Sequence, residues 1–427
     1  MEALLNCVVG MPDKKLRVLV VTQYFWPENM RINDLVRDLR EKGHEVTVLT
    51  GLPNYPEGDV FASYRASPGD FASYHGADVV RVPMLSRGKR SLRLIINYAS
   101  FFLSASTVGA FKLRGRKFDV LFVYAVSPIM AAIPAIVIGR LKQAPVFVWV
   151  LDLWPETLRA VGVLRNPRLL SLVGRMVSWI YNRTDYLLLQ SHGFLENVKQ
   201  YCTRHIADER LVYFPSWAED DFSVSGTVTS SLLESDPSVF TVVFAGNLGE
   251  AQDFPAVLDA VEALRGEASV RWAIVGDGRM SAWLAEQVQA RGLDNVRLLG
   301  RHPLEAMPAL FAQADALLVT LKTNDVFQKT IPGKVQAYLA SGRPLLGMIN
   351  GEAARVIHES GAGFACDSGD AQGLARIVSD LAGTPSAQRR QMGEAGREYY
   401  LEHYSKPKLM ARLETLFCEA TLRKAGK

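Results

Sequence analysis

The stretch Leu16–Gly51, "LRVLVVTQYF-W-PENMRINDLVRDLREKG-HEVTVLTG", decides how the chain is read. Leu16–Phe25 is an almost unbroken apolar, β-branched run, the pattern of a parallel strand buried on both faces. In Pro27–Gly43 the apolar residues Ile32, Leu35, Val36 and Leu39 keep helical spacing, and Gly43 suits the helix end. His44–Gly51 returns to the strand pattern. Strand, helix, strand is a βαβ unit, and its repetition predicts a doubly wound α/β sheet.

The pattern recurs in "FDVLFVYA" (118–125), "APVFVWVLD" (144–152) and "TDYLLLQS" (184–191). The stretch from Glu219 to Ser238 is rich in Ser, Thr and Asp and reads as a linker. A second series follows: "FTVVFAGN" (240–247), "VRWAIVGDG" (270–278), "NVRLLG" (295–300), "ADALLVTL" (314–321) and "RPLLGMI" (343–349). The expected organisation is an N-terminal domain over 14–218 and a C-terminal domain over 237–396. A final helix over 397–425 is expected to pack back on the first domain. Ligands of two such domains would bind at the carboxyl ends of the strands.

Composition excludes some classes. The chain has 427 residues, 48% apolar residues and a formal net charge of +4, which gives no case for a nucleic-acid binder. Cys7, Cys202, Cys366 and Cys418 are too far apart for a metal motif and read as reduced thiols. Met1–Gly10 has no basic residue ahead of its apolar run, so no signal peptide is expected. No G-x-G-x-x-G follows the first strand, and no G-x-x-x-x-G-K-[ST], D-x-D or G-x-S-x-G occurs. Dinucleotide oxidoreductases, P-loop enzymes, metal-dependent sugar-nucleotide sites and α/β-hydrolases are disfavoured accordingly.

Between Arg81 and Lys117 stand nine Lys or Arg residues and no acid: Arg81, Arg87, Lys89, Arg90, Arg93, Lys112, Arg114, Arg116 and Lys117. They flank the uncharged run Leu94–Phe111. This run fits a core helix with solvated ends, a helix docked on anionic lipid through 87–117, or a short membrane span.

Candidate binding residues follow the strands of the second series. Gly246 and Asn247 open a polar turn that continues to Gln252. Gly276, Asp277 and Gly278 form another turn, and Gly300 ends the next strand. Such turns let backbone N–H groups approach phosphate. In "FQKTIPGKVQAYLASGRPLL" (327–346), Lys334 stands at a helix start after Pro332-Gly333, a setting that suits a diphosphate. Gln336 suits a sugar hydroxyl.

Taken in this order, "QYFWPENMRINDLV", "GHEVTVLTGLPNYPEG", "LDLWPETL", "QSHGF", "FAGNLGEAQ", "GDG" and "IPGKVQAYLASGRPLL" resemble the GT-B glycosyltransferases of retaining family four. Within them, the chain is similar to the bacterial O-antigen and capsule subgroup that includes proposed N-acetyl-L-fucosamine transferases. The resemblance implies two Rossmann-like domains facing a cleft. It implies a cytoplasmic enzyme that moves a sugar from a UDP-sugar to a lipid-linked acceptor, and the segment 87–117 adds the expectation of a peripheral place on the inner face of the bacterial inner membrane. Neither a metal nor another cofactor is implied.

The family carries two Glu seven residues apart where this chain has Gln328 and Gln336, and Arg and Lys where it has Asn247 and Gln252. Lys334 and Lys329 are then left to neutralise the diphosphate. Asp152, ending its apolar strand, is the suggested catalytic acid alongside Lys334, and a local turn cap is its other reading. Glu28, Asn29, Arg31 and Asn33 are expected on the acceptor side. A sugar-nucleotide 2-epimerase and a non-catalytic subunit of a polysaccharide assembly complex are the competing readings.

Overall fold

The computed structural model describes residues 15–56, 58–88, 91–203, 208–219, 222, 233, 236, 238–267 and 269–425. Lys89 and Arg90 of the basic cluster, Cys7, and most of the expected linker lie outside the described residues. The chain divides into two compact units. The first runs to Gln190 and adds Phe194–Phe214 and the segment from Pro407 on. The second comprises Ser191–Gly193 and Pro215–Lys406.

The first unit is built on β1 (Arg17–Val21), β2 (Glu45–Thr50), β3 (Ser73–Tyr74), β4 (Ala77–Arg81), β5 (Val120–Ala125), β6 (Val146–Val150), β7 (Tyr186–Leu189) and β8 (Leu211–Tyr213). Their order is β3-β4-β2-β1-β5-β6-β7-β8, parallel apart from the short β3–β4 pair. β5, β6 and β7 are buried at every residue, as strands covered on both faces must be. Strand order reverses at β1, so the carboxyl ends of β1 and β5 border the switch point. Helix α1 (Arg31–Glu41) buries Ile32, Leu35, Val36 and Leu39, the residues that its spacing singled out.

Helix α2 (Ser91–Ser104) continues through a π-turn at Ala105–Gly109 to Lys112. By length and composition alone, Arg93–Lys112 is apolar enough to cross a membrane, and 28% of its most apolar window is buried. One face holds it to the unit through Asn97, Tyr98, Phe101 and Ala105. Asn97 is locked there, accepting from Gln23 Nε2 at 2.7 Å and donating to the Leu85 carbonyl at 2.6 Å. The other face leaves Ile95, Ile96, Leu103 and Phe111 exposed at 41–64%. The core-helix reading therefore holds for one face alone. Helices α3 (Glu156–Ala160) and α4 (Pro167–Tyr181) follow β6, and Leu169, Leu172 and Trp179 of α4 are exposed too.

The second unit is built on β9 (Phe240–Ala245), β10 (Val270–Val275), β11 (Val296–Gly300), β12 (Ala316–Thr320), β13 (Leu345–Met348) and β14 (Gly363–Cys366). They form one parallel sheet of order β11-β10-β9-β12-β13-β14, with its switch point between β9 and β12. Helix α5 (Gly333–Ser341) follows β12, and Gly342 closes it in the left-handed conformation at φ 68°.

The expected final helix is two helices. Helix α6 (Ser386–His403) stays with the second unit, where Tyr400 Oη accepts from the Ala218 N–H at 3.3 Å. Helix α7 (Lys406–Ala425) belongs to the first unit. There Phe417 meets Phe147 and Phe122 edge-on at 5.0 and 6.1 Å, while Glu414 pairs with Lys42 and with His44 Nε2. Phe417 is fully buried. Phe417→Ala is expected to remove about 3–5 kcal/mol of stability, read as a lower urea midpoint for the first unit.

Candidate active site

In the second unit, the sequence-predicted residues gather at the carboxyl end of the sheet beside its switch point. The turn after β9 and the turn after β10 interlock. Gly246 donates to the Val275 carbonyl at 2.9 Å, Leu248 to the Asp277 carbonyl at 3.0 Å, and Gly276 to the Gly300 carbonyl at 2.8 Å. A Cβ on Gly276, whose φ is 142°, would lie 1.8 Å from the Gly246 carbonyl oxygen. These glycines permit backbone to touch backbone.

This corrects the expected role of the turn. The N–H groups of Gly246 and Leu248 are committed to the fold, and that of Gly249 donates to Gln252 Oε1 at 3.0 Å. Gln252 thus spends its carbonyl on its own turn, and the Thr320 hydroxyl, donating to the Gln252 carbonyl at 3.0 Å, ties that turn to β12. Asp277 likewise accepts from Gly278 N–H and Ser281 Oγ, both at 2.7 Å, and these bonds hold its carboxyl below the usual range. The Asn247 side chain lies against Gly249 and Gly278. Gly300 is exposed.

Lys334 is different. It enters in the first turn of α5, which has no side-chain cap. Tyr338 fixes the helix one turn later, accepting from the Ala245 N–H at 3.0 Å and donating to its carbonyl at 3.2 Å. Residues four apart share a helix face, so Lys334 is held over the same strand end. Its Nζ sits 3.6 Å from the centre of the Phe244 ring and is buried with no hydrogen-bond partner among the described residues. A Cβ at Gly246 would lie 2.4 Å from Lys334 Cε and 2.7 Å from Nζ, so glycine there makes room for the amine. Burial pushes the amine down to about 7.

Gln336 is 1% exposed, and its Oε1 also has no partner among the described residues. Buried polar atoms left unpaired are costly and rare in folded proteins, and α5 carries two of them, the Lys334 amine and the Gln336 amide carbonyl, in its first turns. Gln328 is exposed and donates to Thr323 Oγ1 at 2.5 Å, and the Lys329 carbonyl accepts from the Ser191 hydroxyl. Phe244 and Tyr338 escaped the sequence reading. The i, i+4 spacing of Lys334 and Tyr338 was the available signal for the second.

The remaining candidates lie in the first unit. Asp152 follows β6 and accepts from the Thr157 hydroxyl at 2.5 Å. Burial pushes its carboxyl up, and the bond from Thr157 opposes that shift. It is thus a turn cap that also retains acid character. Glu28 is 2% exposed, and its carboxylate accepts from the N–H groups of Phe25, Asn54 and Tyr55 at 2.8–2.9 Å. Burial pushes it up to about 7 against those bonds.

Asn33 accepts from Trp26 N–H at 3.2 Å and donates to the Glu28 carbonyl at 2.7 Å. Glu28 and Asn33 are therefore posts that hold the loop after β1, not groups turned toward an acceptor. Arg31 pairs with Asp34 at 3.2 Å, and Asn29 is exposed.

Comparison with known proteins agrees with this division. Residues 29–217 match the family model described as "Glycosyl transferase 4-like domain", and residues 239–383 match "Glycosyl transferases group 1". The chain is 27% identical over 361 residues to WbjE of Pseudomonas aeruginosa, which is named as a probable glycosyltransferase, covering 79% of this chain and 83% of that protein. It is 25% identical over 345 residues to WcaI of Escherichia coli K12, named for a glycosyl transferase role in colanic acid biosynthesis, covering 77% and 82%.

The solved structure of Alr3699/HepE of Anabaena in complex with UDP superposes with a TM-score of 0.68 at 13% identity, over 95% of this chain and 100% of that one. WaaG, a glycosyltransferase involved in lipopolysaccharide biosynthesis, superposes at 0.62 and 16% identity, over 93% and 99%. The two Rossmann-like units are those of the GT-B fold. Residues 239–383 thus resemble the group 1 glycosyltransferases, and residues 29–217 the 4-like glycosyltransferase domain.

Proposed function

We propose that the protein transfers a sugar from a UDP-sugar to a lipid-linked glycan during synthesis of a bacterial surface polysaccharide. The observation that carries the donor half is the unpaired Lys334 amine at the switch point of the second sheet, at the uncapped start of α5, the helix that also holds the unsatisfied Gln336 carbonyl. A UDP diphosphate supplies the missing anion, and the ribose hydroxyls supply donors for Gln336. As the sugar leaves, negative charge grows on the β-phosphate, where the Lys334 ammonium and the first-turn N–H groups of α5 stabilise it. The HepE complex with UDP supports this nucleotide.

On this reading the sugar is an amino or deoxy sugar such as N-acetyl-L-fucosamine, transferred with retention. The departing phosphate takes the acceptor proton, and Asp152 serves as the acid on the acceptor side. The membrane half rests on the exposed apolar face of α2 and the acid-free basic segment 81–117, a combination suited to a peripheral site on an anionic leaflet.

Calorimetric titration with UDP, GDP, ADP and NAD, without added metal, tests the donor. Preferred UDP binding is expected, and preference for another nucleotide sinks this reading. UDP release that requires a lipid-linked acceptor separates a transferase from an epimerase, and tight binding without any turnover would indicate a non-catalytic subunit.

The pH dependence supplies a further check. The free Lys334 amine titrates near 7, and a diphosphate beside it favours the charged form. UDP binding is therefore expected to take up a proton above pH 7, with affinity falling by up to about tenfold per pH unit between roughly 7 and 9. Calorimetry in two buffers of different ionisation enthalpy reads this directly; heats that do not depend on the buffer refute it.

A further inference from the structure

Between α2, α3 and α4 the first unit holds a cavity of about 910 Å³, at the upper end of the range for ligand sites. Its walls are apolar, with Ile95, Tyr98, Trp154, Leu172 and Trp179 among them. The Thr157 hydroxyl, a polar group of the wall, is bonded to Asp152. Ile95 and Leu172 are 54% and 60% exposed, so a hydrophobic lining stays open to its surroundings.

No Asp or Glu is among the residues that line it. Arg87 and Arg175 line the cavity. From Thr157 to Thr184 the chain carries Arg159, Arg165, Arg168, Arg175 and Arg183 and no Asp or Glu. Leu94, Ile95 and Tyr98 of α2 line the other wall, and the sequence from 81 to 117 that contains them has no Asp or Glu. Trp154 and Thr157 belong to the segment after β6, and Ser127 to the segment after β5, so one end of the cavity opens at the carboxyl edge of the first sheet, beside Asp152.

We infer that this groove seats the hydrocarbon chain of the lipid-linked acceptor, a polyisoprenyl phosphate or diphosphate. Its phosphate lies against Arg87 and Arg175, and its head group reaches the sheet edge at Asp152. The inference rests on the reading of the acceptor as lipid-linked. An apolar channel matches the chain, and two arginines in a lining without Asp or Glu match a phosphate. A groove that ends at the sheet edge by Trp154 and Thr157 would fix how far the head group reaches and so place the sugar hydroxyl.

The test uses the full chain and farnesyl diphosphate below its micellar concentration. Binding at least tenfold tighter than that of inorganic diphosphate, and unchanged by excess UDP, is expected. The pair Ile95→Asp/Leu172→Asp, at exposed positions, should weaken it at least tenfold with an unaltered thermal melt. Ile96→Asp/Phe111→Asp, on exposed α2 residues that do not line the cavity, should leave farnesyl diphosphate binding intact while weakening attachment to phosphatidylglycerol vesicles.

Competition by UDP would put the probe in the donor site and overturn the groove. So would affinity no better than that of inorganic diphosphate, or equal losses from both pairs, which would leave this face as a membrane-lying surface only. The acceptor reading fails separately. Farnesyl diphosphate bound in the groove without any acceptor-dependent UDP release would refute the transfer and keep the groove. Acceptor-dependent release unaffected by Ile95→Asp/Leu172→Asp would refute the groove and keep the transfer.

Discussion

Lys334→Met is expected to lower UDP affinity by about ten- to a hundredfold and, in the same protein, to raise its thermal midpoint at pH 6–7. The first effect follows from losing a charge-assisted contact to the diphosphate, worth about 1.5–3 kcal/mol, in a site where water cannot compensate. The second follows from the direction of the lysine's shift. Its folded pKa, about 7, lies below the ordinary lysine value, so between the two the unfolded chain binds more protons.

The buried amine therefore destabilises the fold most fully below pH 7, and the penalty fades as pH rises toward about 10.5. Methionine matches the lysine stem and removes the amine. The gain should be a few kcal/mol at pH 6 and should shrink steadily toward pH 10. Denaturation curves at four pH values measure it. An unchanged UDP affinity, or a midpoint that falls at every pH, would remove Lys334 from the proposed role.

Gly276→Ala should be the most damaging single methyl group in the second unit. The added carbon would lie 1.8 Å from the Gly246 carbonyl oxygen, with φ at 142°, and no rotamer can relieve it because both atoms are fixed to backbone. The turns after β9 and β10 must part, and the Gly246–Val275 and Leu248–Asp277 hydrogen bonds go with them. A loss of about 4 kcal/mol or more is expected, with UDP binding lost too. Gly266→Ala is the matched control, since nothing lies within 4 Å of its added carbon. It should change stability by no more than about 0.5 kcal/mol. Similar unfolding midpoints for the two variants would contradict the interlocked turns.

What the sequence disclosed follows from the range of each interaction. β5, β6 and β9 were legible because strands buried on both faces have to be apolar at nearly every position. Lys334 was legible because Pro332-Gly333 announces a helix start. The partners that define its state were not: Phe244 reaches it from ninety residues upstream in the chain. The turn glycines stood where they were expected, but their N–H groups find carbonyls on the neighbouring strand's turn, as Gly246 does with Val275.

Glu28 looked like a ligand-facing acid because its partners Asn54 and Tyr55 lie 26 and 27 residues away. Asp152 was the opposite case. Its partner Thr157 is five residues on, and a local cap was one of the two readings its sequence allowed. For α2 composition is silent by nature: an uncharged run does not say which of its faces the protein covers.

Helix α7 has a bearing on how the protein is made. A nascent chain emerges from its amino terminus, and the first unit lacks α7 until the whole second unit has been translated. Throughout that interval Phe122 and Phe147 lack the ring of Phe417, and His44 and Lys42 lack Glu414. The first half of the chain is thus born before it can be finished. A gene fragment stopping near Phe214 would yield a body with an uncovered aromatic seam, prone to stick to its own kind. To obtain that half alone, residues 407–425 must be supplied with it, either spliced on by a short tether or co-produced as a separate peptide.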